Sequence, residues 1–537
     1  MAFTVAPALR WTYVIKTGLA SALVLLADFL LWDRGPGSVF GGFALAWVAA
    51  TAVSQRSIRS SRAAIVALML AVGLALVLAI EPSLLGWVLF WSALSLAVLM
   101  PRGAQVGDAW QWFRRLIVHG FTLIVGPVAD WLRVTRAQKR TGKLCATRHL
   151  PMLVLPLVGG AVFLALFAMA NPLIGDWISS LQGPEVSGST VLRAFFAAFV
   201  LMTVWGSLRP HRLRFGFKPL QQSDAVVIPG VSVGSLILSL LTFNALFALQ
   251  NGLDIAFLWS GARLPGDMTL AGYAHRGAYP LILTALLAGL FVLVTTQPGS
   301  AMAKNGIIRA LVTLWIAQNV FLVASSILRL TDYISAYSLT ILRISALLWM
   351  VLVGLGLVFI GWRMMRGKTS AWLVNMNSAA ALALLAGCSI ADLGAVAAGW
   401  NVRHAREAGG PGVFLDRCYM HSLGASALLP LVAFERKVQS PHLRDNVARV
   451  RQEILEDVRI QQSHWQSWTW RNARRLSALP VDLREIKLPE DRSLGCDGSL
   501  YNATGGYPQE EVPAEISTET AVEAAAPLTP LTPEPKP

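Results

Sequence analysis

A chain of 537 residues with 55% hydrophobic and only 14% charged side chains is too apolar for a water-facing surface, because soluble domains carry about 45–50% and about 25%. Its formal net charge of +15 is uneven, with 29 basic and 12 acidic groups in residues 1–400 and 16 and 18 in residues 401–537. No recognition module or basic aromatic sheet accompanies that positive charge, so nucleic acid is excluded as a partner.

Apolar residues fall in blocks of about 16–25, the length an α-helix needs to cross a hydrocarbon core of about 30 Å. The ten-residue alternation of a membrane β-barrel is absent. Eleven spans are predicted: Thr17 to Trp32, Val39 to Ser54, Ala63 to Ile80, Leu84 to Met100, Leu150 to Ala170, Val191 to Ser207, Val231 to Leu249, Ala278 to Thr295, Ile307 to Leu328, Tyr337 to Trp362 and Trp372 to Ala398. The expected fold is an all-α, polytopic transmembrane helix bundle over 1–400. A small extracytoplasmic helical region over 401–492 and a disordered tail over 493–537 follow it.

Arg10 and Lys16 precede the first block and no small-residue cleavage site follows it, which predicts a retained signal-anchor. Taking the N-terminus as cytoplasmic puts 23 of the 29 basic residues before Asn401 on the inside, the bias expected of short cytoplasmic loops. An odd number of spans then leaves the C-terminal region outside.

The longest inside loop, 101–148, mixes Trp110, Trp112, Phe113, Ile117, Phe121 and Trp131 with Arg114, Arg115, Arg133 and Arg136. Such a mixture predicts helices lying in the interface, held to anionic lipid at the cytoplasmic face by Trp110, Arg114, Arg115 and Trp131.

Polar residues in or beside spans are costly in lipid and raise a functional hypothesis. Asp28 and Asp33 close the first span, and Asn244, Gln250, Asn251 and Asp254 close the seventh. Arg329 and Asp332 end the ninth, Arg343 opens the tenth, and Asp392 lies late in the eleventh. Helix-end charges such as Arg329 and Asp33 are expected to snorkel to the interface, whereas Arg343 calls for a carboxylate such as Asp332, Asp254 or Asp392. A shared outward polar cavity lined by Asp254, Tyr273, Arg276, Asp332, Arg343 and Asp392 is the candidate ligand site.

Tyr273-Ala274-His275-Arg276-Gly277 before one span, and Asp332-Tyr333, Tyr337-Ser338-Leu339-Thr340 and Arg343 around another, resemble bacterial polytopic proteins of domain-of-unknown-function family 4173 and its relative 4153. Asn401-Val402-Arg403-His404-Ala405, Leu415-Asp416 to Tyr419, and Leu423-Gly424 are similar to the same family's region after the last span. The resemblance implies a bacterial inner-membrane location and supplies no activity.

Beyond Asn401, Val413 to Phe434 is apolar but carries Asp416, Arg417 and His421, and each such charge at mid-span costs about 2.5–3.5 kcal/mol. A surface-packed helix is expected there, not a twelfth span. Leu443 to Leu476 reads as amphipathic helices docked on the outer face. Cys418 and Cys496 share the outer side and could pair in an oxidising compartment, but spacing does not show that their Cα atoms come within bridging range, and both are expected to be unpaired. The tail, rich in Pro, Glu, Thr, Ala and Gly, cannot bury enough apolar surface to fold.

No Walker loop, Rossmann fingerprint, His-Glu-x-x-His, Gly-x-Ser-x-Gly or Cys-x-x-Cys occurs, and the eight histidines are scattered; no cofactor or metal is expected. Three function classes remain. Transport asks for mid-span polar residues and broken helices. A transferase on lipid-linked substrates asks for early external carboxylates, for which Asp28 and Asp33 are the only candidates. A non-catalytic sensing, accessory or assembly component asks for an external region without catalytic residues and a large cytoplasmic contact surface, with an envelope protein as its expected partner, and fits best.

Overall fold

In a computed structural model the protein is described over residues 7–102, 108–140, 187–210, 232–260, 305–485 and 495–496, with single positions between 159 and 174 and at 287. The expected spans Leu150 to Ala170 and Ala278 to Thr295 fall largely outside these residues, as do Tyr273, Arg276 and most of the tail.

Among the described residues every regular element is a helix. The membrane-like ones are α1 (Pro7–Leu31), α2 (Val39–Ser54), α3 (Arg62–Ile80), α4 (Leu84–Leu99), α6 (Gly188–Leu208), α7 (Val233–Asp254), α8 (Gly306–Tyr337), α9 (Ile341–Arg366) and α10 (Ser370–Ile390). Among the described residues, seven helical segments are long and apolar enough to cross a bilayer. Helices α2 and α4 are apolar but have 16 residues each, about 24 Å at about 1.5 Å per residue. The seven-plus-two tally leaves the expected count of eleven spans open.

Helix starts follow local chemistry. Ser61, Ser83, Ser187, Ser232, Asn305, Thr340 and Thr369 each accept a hydrogen bond from a first-turn backbone N–H, which satisfies donors that lipid cannot. Gly367 closes α9 at φ +62, a left-handed position that favours glycine.

Two cores hold the bundle. One joins α1 to α4 and α6 through small side chains, with Ala27, Ala44, Ala71 and Ala75 fully buried. Gly41 faces Ala79 so closely that a Cβ there would strike that residue's backbone. The other joins α7, α8 and α9 around Leu240, Val312, Trp315 and Leu357.

The eleventh predicted span is shorter than expected. Helix α10 ends at Ile390, and Asp392 caps a new helix, α11 (Leu393–His404), by accepting from the Ala395 N–H at 2.9 Å. The chain then forms α12 (Arg417–Ser422), α13 (Leu428–Glu435), α14 (Pro441–Ser463) and α15 (Trp470–Ser477). Val413 to Phe434 is thus no single surface helix: its charges sit in turns and the short α12, and Met420, Leu428, Leu431 and Phe434 are buried in a core shared with α14. Cys418 and Cys496, expected unpaired, form a disulfide with Cα atoms 5.0 Å apart. Sequence spacing could not show this because the intervening helices fold the chain back. Helices α11 to α15 are called the cap below.

Helix α5 (Ala109–Arg140) is amphipathic. His119, Leu123 and Asp130 are buried against the bundle, while Trp110, Phe113, Ile117, Phe121, Ile124 and Val128 are exposed. Their spacing of three or four residues makes one apolar stripe on the opposite face.

Candidate functional site

The turn between α8 and α9 gathers several of the residues that carry the family resemblance. Ser338 adopts φ +70, a conformation that costs a non-glycine residue about 1–3 kcal/mol and persists only when neighbours impose it. Those neighbours are specific. Asn401 of α11 pairs with Leu339 in both directions, at 2.7 Å to its N–H and 3.0 Å to its carbonyl. Tyr419 Oη accepts from the Ile341 N–H at 2.9 Å, and burial pushes that phenol above its ordinary pKa. Arg343 donates to the carbonyls of Tyr337 and Ser338 and lies over the Tyr333 ring at 4.7 Å.

No carboxylate among the described residues pairs with Arg343. The expected partner is replaced by carbonyls, because a guanidinium one turn into α9 reaches the C-terminal carbonyls of α8, where the helix dipole concentrates negative charge. Asp332 is half-buried nearby on α8.

A second cluster fastens the cap to the same end of the bundle. Arg471 pairs with Glu81, at the end of α3, and donates to the Ile390 carbonyl at 2.7 Å. Arg475 pairs with Asp392, lies 3.9 Å from Glu81 and donates to Ser426 Oγ at 3.1 Å. Asp392 is consequently acidic: burial alone would raise its pKa, but the Ala395 N–H, Arg475 and Ser426 together hold it below the ordinary value. Ser38, in the turn after α1, bridges the parts. It donates to the Ala79 carbonyl, and its N–H donates to Trp468 O at 2.7 Å. A Cβ on Gly37 would meet the backbone of Gln466 and Ser467.

A third cluster lies inside the bundle. Arg329, expected to snorkel, is 2% exposed and pairs with Asp254, itself fully buried. It cannot reach an interface because α8 continues to Tyr337, two turns beyond it. Gln250 donates to Asp254 at 3.0 Å, and Gln318 donates to Asn244 at 2.9 Å. A π-helical turn, Ile255–Trp259, follows Asp254 directly.

At the opposite end, α5 touches α10, α4 and α6 in turn. The Ala109 N–H donates to Asn375 Oδ1 at 2.7 Å, His119 stacks on Trp91, and Asp130 accepts from Trp205 Nε1 at 3.1 Å and pairs with Arg209 at 3.1 Å. Of the anchoring residues, Trp110 is exposed, Arg114 and Arg115 are half-buried, and Arg115 lies over the Trp112 ring at 5.2 Å. The side chain of Trp131 is outside the description.

The four described residues of the expected cavity are therefore distributed, and Tyr273 and Arg276 lie outside the described residues. Asp254 joins Arg329, Asp392 joins Arg475, and Arg343 joins the α8–α9 turn. Glu81, Arg471, Arg475, Gln318 and Asn319 were not singled out in the sequence. Asp392 gave a usable signal, since an aspartate at a glycine-rich break reads as an N-cap. Nothing marked its arginine partner. Among the described residues no three His, Cys, Asp or Glu side chains group as metal ligands.

The sequence model of one family, described as a domain of unknown function (DUF4153), matches residues 64–434. That interval covers more than two thirds of the chain and includes the α8–α9 turn, Asn401 and Tyr419. No curated protein and no solved structure matches.

Proposed function

We propose, from the premise that the chain belongs to the DUF4153 family and is an integral membrane protein of unknown activity, that it acts as a non-catalytic sensing, accessory or assembly component of a bacterial inner membrane. Its cap is the working part, on the extracytoplasmic side, and presents a surface to another envelope protein. The observation that carries this reading is the clamp: Arg471 and Arg475 tie the cap both to Glu81 of α3 and to the Asp392 break after α10. A change at the cap surface is thereby coupled to two separate membrane helices.

Side and membrane contact have their own support. Arg56, Arg59, Arg62, Arg309, Arg363 and Arg366 lie at described helix ends away from the cap, the bias of cytoplasmic loops, and a disulfide such as Cys418–Cys496 suits an oxidising compartment. On the basic end, the apolar stripe of α5 with Arg114, Arg115 and Arg133 suits an anionic leaflet. The transferase alternative is weakened because Asp28, one of its two external carboxylates, is held by Arg193 in a bidentate pair at 2.7 and 2.5 Å.

One comparison tests the ranking. An Arg471→Ala/Arg475→Ala strain and an Asp28→Asn/Asp33→Asn strain are each checked for membrane insertion, then compared with a full deletion for growth under envelope stress. The clamp variant is expected to match the deletion and the aspartate variant the parent. The reverse result would place chemistry at the first external loop.

A further inference from the structure

The seam between α7 and α8 is separate from the cap, the clamp and the α8–α9 turn. Its two helices run in the same direction. Asn244 and Asn251, seven residues apart on α7, donate from Nδ2 to Leu311 O at 3.1 Å and Gln318 O at 3.2 Å, each 67 positions further along the chain. A constant offset across a heptad is the register of a parallel helix pair, so these amides occupy one row facing α8. Trp259 Nε1 continues the row with a bond to Ser325 Oγ at 3.1 Å. From Asn244 to Asp254 the row climbs about 15 Å at about 1.5 Å per residue, and it begins near the middle of the Val233–Trp259 segment.

The hydrogen bonding in this row is lopsided. The amide nitrogens are spent on protein partners, while Asn251 Oδ1, Asp254 Oδ2, Gln318 Oε1 and Asn319 Oδ1 accept nothing from the described protein groups. Asn251, Asp254 and Asn319 are 7%, 0% and 1% exposed. Buried polar atoms in native proteins are almost always satisfied. Four acceptors in one seam of a membrane bundle thus need donors that the helices do not provide. If the row served only to glue α7 to α8, the amides would exchange bonds with one another as they do at Asn244 and Gln318.

Water is the ligand whose chemistry fits, since each molecule donates twice and links neighbouring acceptors. We propose that the α7–α8 seam binds a file of water molecules through which the Asp254 carboxylate exchanges protons with the aqueous phase on the cap side. Each transfer makes one O–H bond on the acceptor as it breaks one on the donor. The proton arriving at Asp254 Oδ2 is matched by one leaving from the outermost water. Arg329 engages the carboxylate through Oδ1 and leaves Oδ2 to the file, and the π turn after Asp254 loosens the helix where the file meets the cap end.

The full-length protein in nanodiscs tests this by infrared difference spectroscopy during pH jumps. A carboxyl band that appears and vanishes with pH and shifts in heavy water is expected in the parent, and it is lost in Asp254→Asn. In Asn251→Leu/Asn319→Leu, which dries the seam, its response should slow at least tenfold. A parent without such a band, or a dried variant that responds at the parent's rate, overturns the proposal. So does a band that moves when sodium replaces N-methylglucamine, because the oxygens would then hold a metal ion. Hydroxyl-radical labelling of the unmodified protein needs no variant. Trp315, beside Asn319, and Trp47, in the first core, are equally buried at 4% and 3% exposure. Trp315 should be labelled at least tenfold more than Trp47, and equal labelling would mean a dry seam.

Discussion

The two halves of the bundle solve one problem in different ways. Lipid tails are as apolar as leucine, so helices in a bilayer gain little by hiding apolar surface from each other; close packing and hydrogen bonds must hold them instead. The α1–α4 and α6 half relies on closeness, with alanines at fully buried positions and Gly41 against the backbone of Ala79. The α7–α9 half relies on polar groups: Asn244 with Gln318, Asp254 with Arg329, and Arg343 with the carbonyls of its own turn. Similar composition therefore conceals a half held largely by shape and a half held largely by bonds, and the second carries an ion pair, Asp254 with Arg329, whose partners are 0% and 2% exposed.

The comparison breaks most easily at Arg329. Arg329→Ala leaves Asp254 buried and unpaired, which costs about 3–5 kcal/mol. The yield of monodisperse protein and its melting temperature in detergent should both fall, and Asp254→Leu/Arg329→Met should recover most of the loss. A heat-resistant Arg329→Ala would show that the second half stands without its ion pair.

Arg343→Ala comes next. Hydrogen bonds to a charged group are worth about 1.5–3 kcal/mol each, and this arginine restrains the strained Ser338. Limited proteolysis at the α8–α9 turn should accelerate, while cleavage elsewhere is unchanged. The first half is probed by Gly41→Ala, whose added methyl costs about 1–3 kcal/mol of overpacking. Gly42→Ala is the control, since its Cβ would meet nothing within 4 Å. Equal melting temperatures for the two would remove closeness as the first half's adhesive.

The smallest effect lies at the clamp, where Glu81 from one half and Asp392 from the junction after the other meet the same arginines. The folded-state pKa of Asp392 lies below its ordinary value, which for an unfolded aspartate is about 3.9. Its contribution is therefore fully present above that pH and is lost as pH falls below it. Protease sensitivity of residues 461–475 should rise as pH drops below about 4, and Asp392→Asn should flatten that step.

The spans were legible because a bilayer sets a length and a hydropathy that any block such as Ala63 to Ile80 either meets or fails. Helix starts were legible too, in serines and threonines such as Ser61 and Thr369. Pairings were not. A run of apolar residues does not say which face of α8 meets α7, so Arg329 looked like a helix-end charge and Asp254 like a candidate for Arg343. That Cys418 and Cys496 both follow the last predicted span was readable, but their approach depends on how α12 to α15 pack. The clamp stayed hidden because Arg471 and Arg475 look like any basic residues on an amphipathic helix until Glu81, nearly 400 positions earlier, is placed beside them.

The bond between the Trp470 N–H and Ser38 Oγ joins residues 432 positions apart. At the usual rate of about 5–20 residues per second, roughly 20–90 seconds of synthesis separate the two. Throughout that interval the first turn of the bundle, with its bare glycine at position 37, waits uncovered. Seating of the cap is thus among the last events in the making of this protein. A chain stopped short of α15 lacks the residues that close over Ser38 and pair with Glu81.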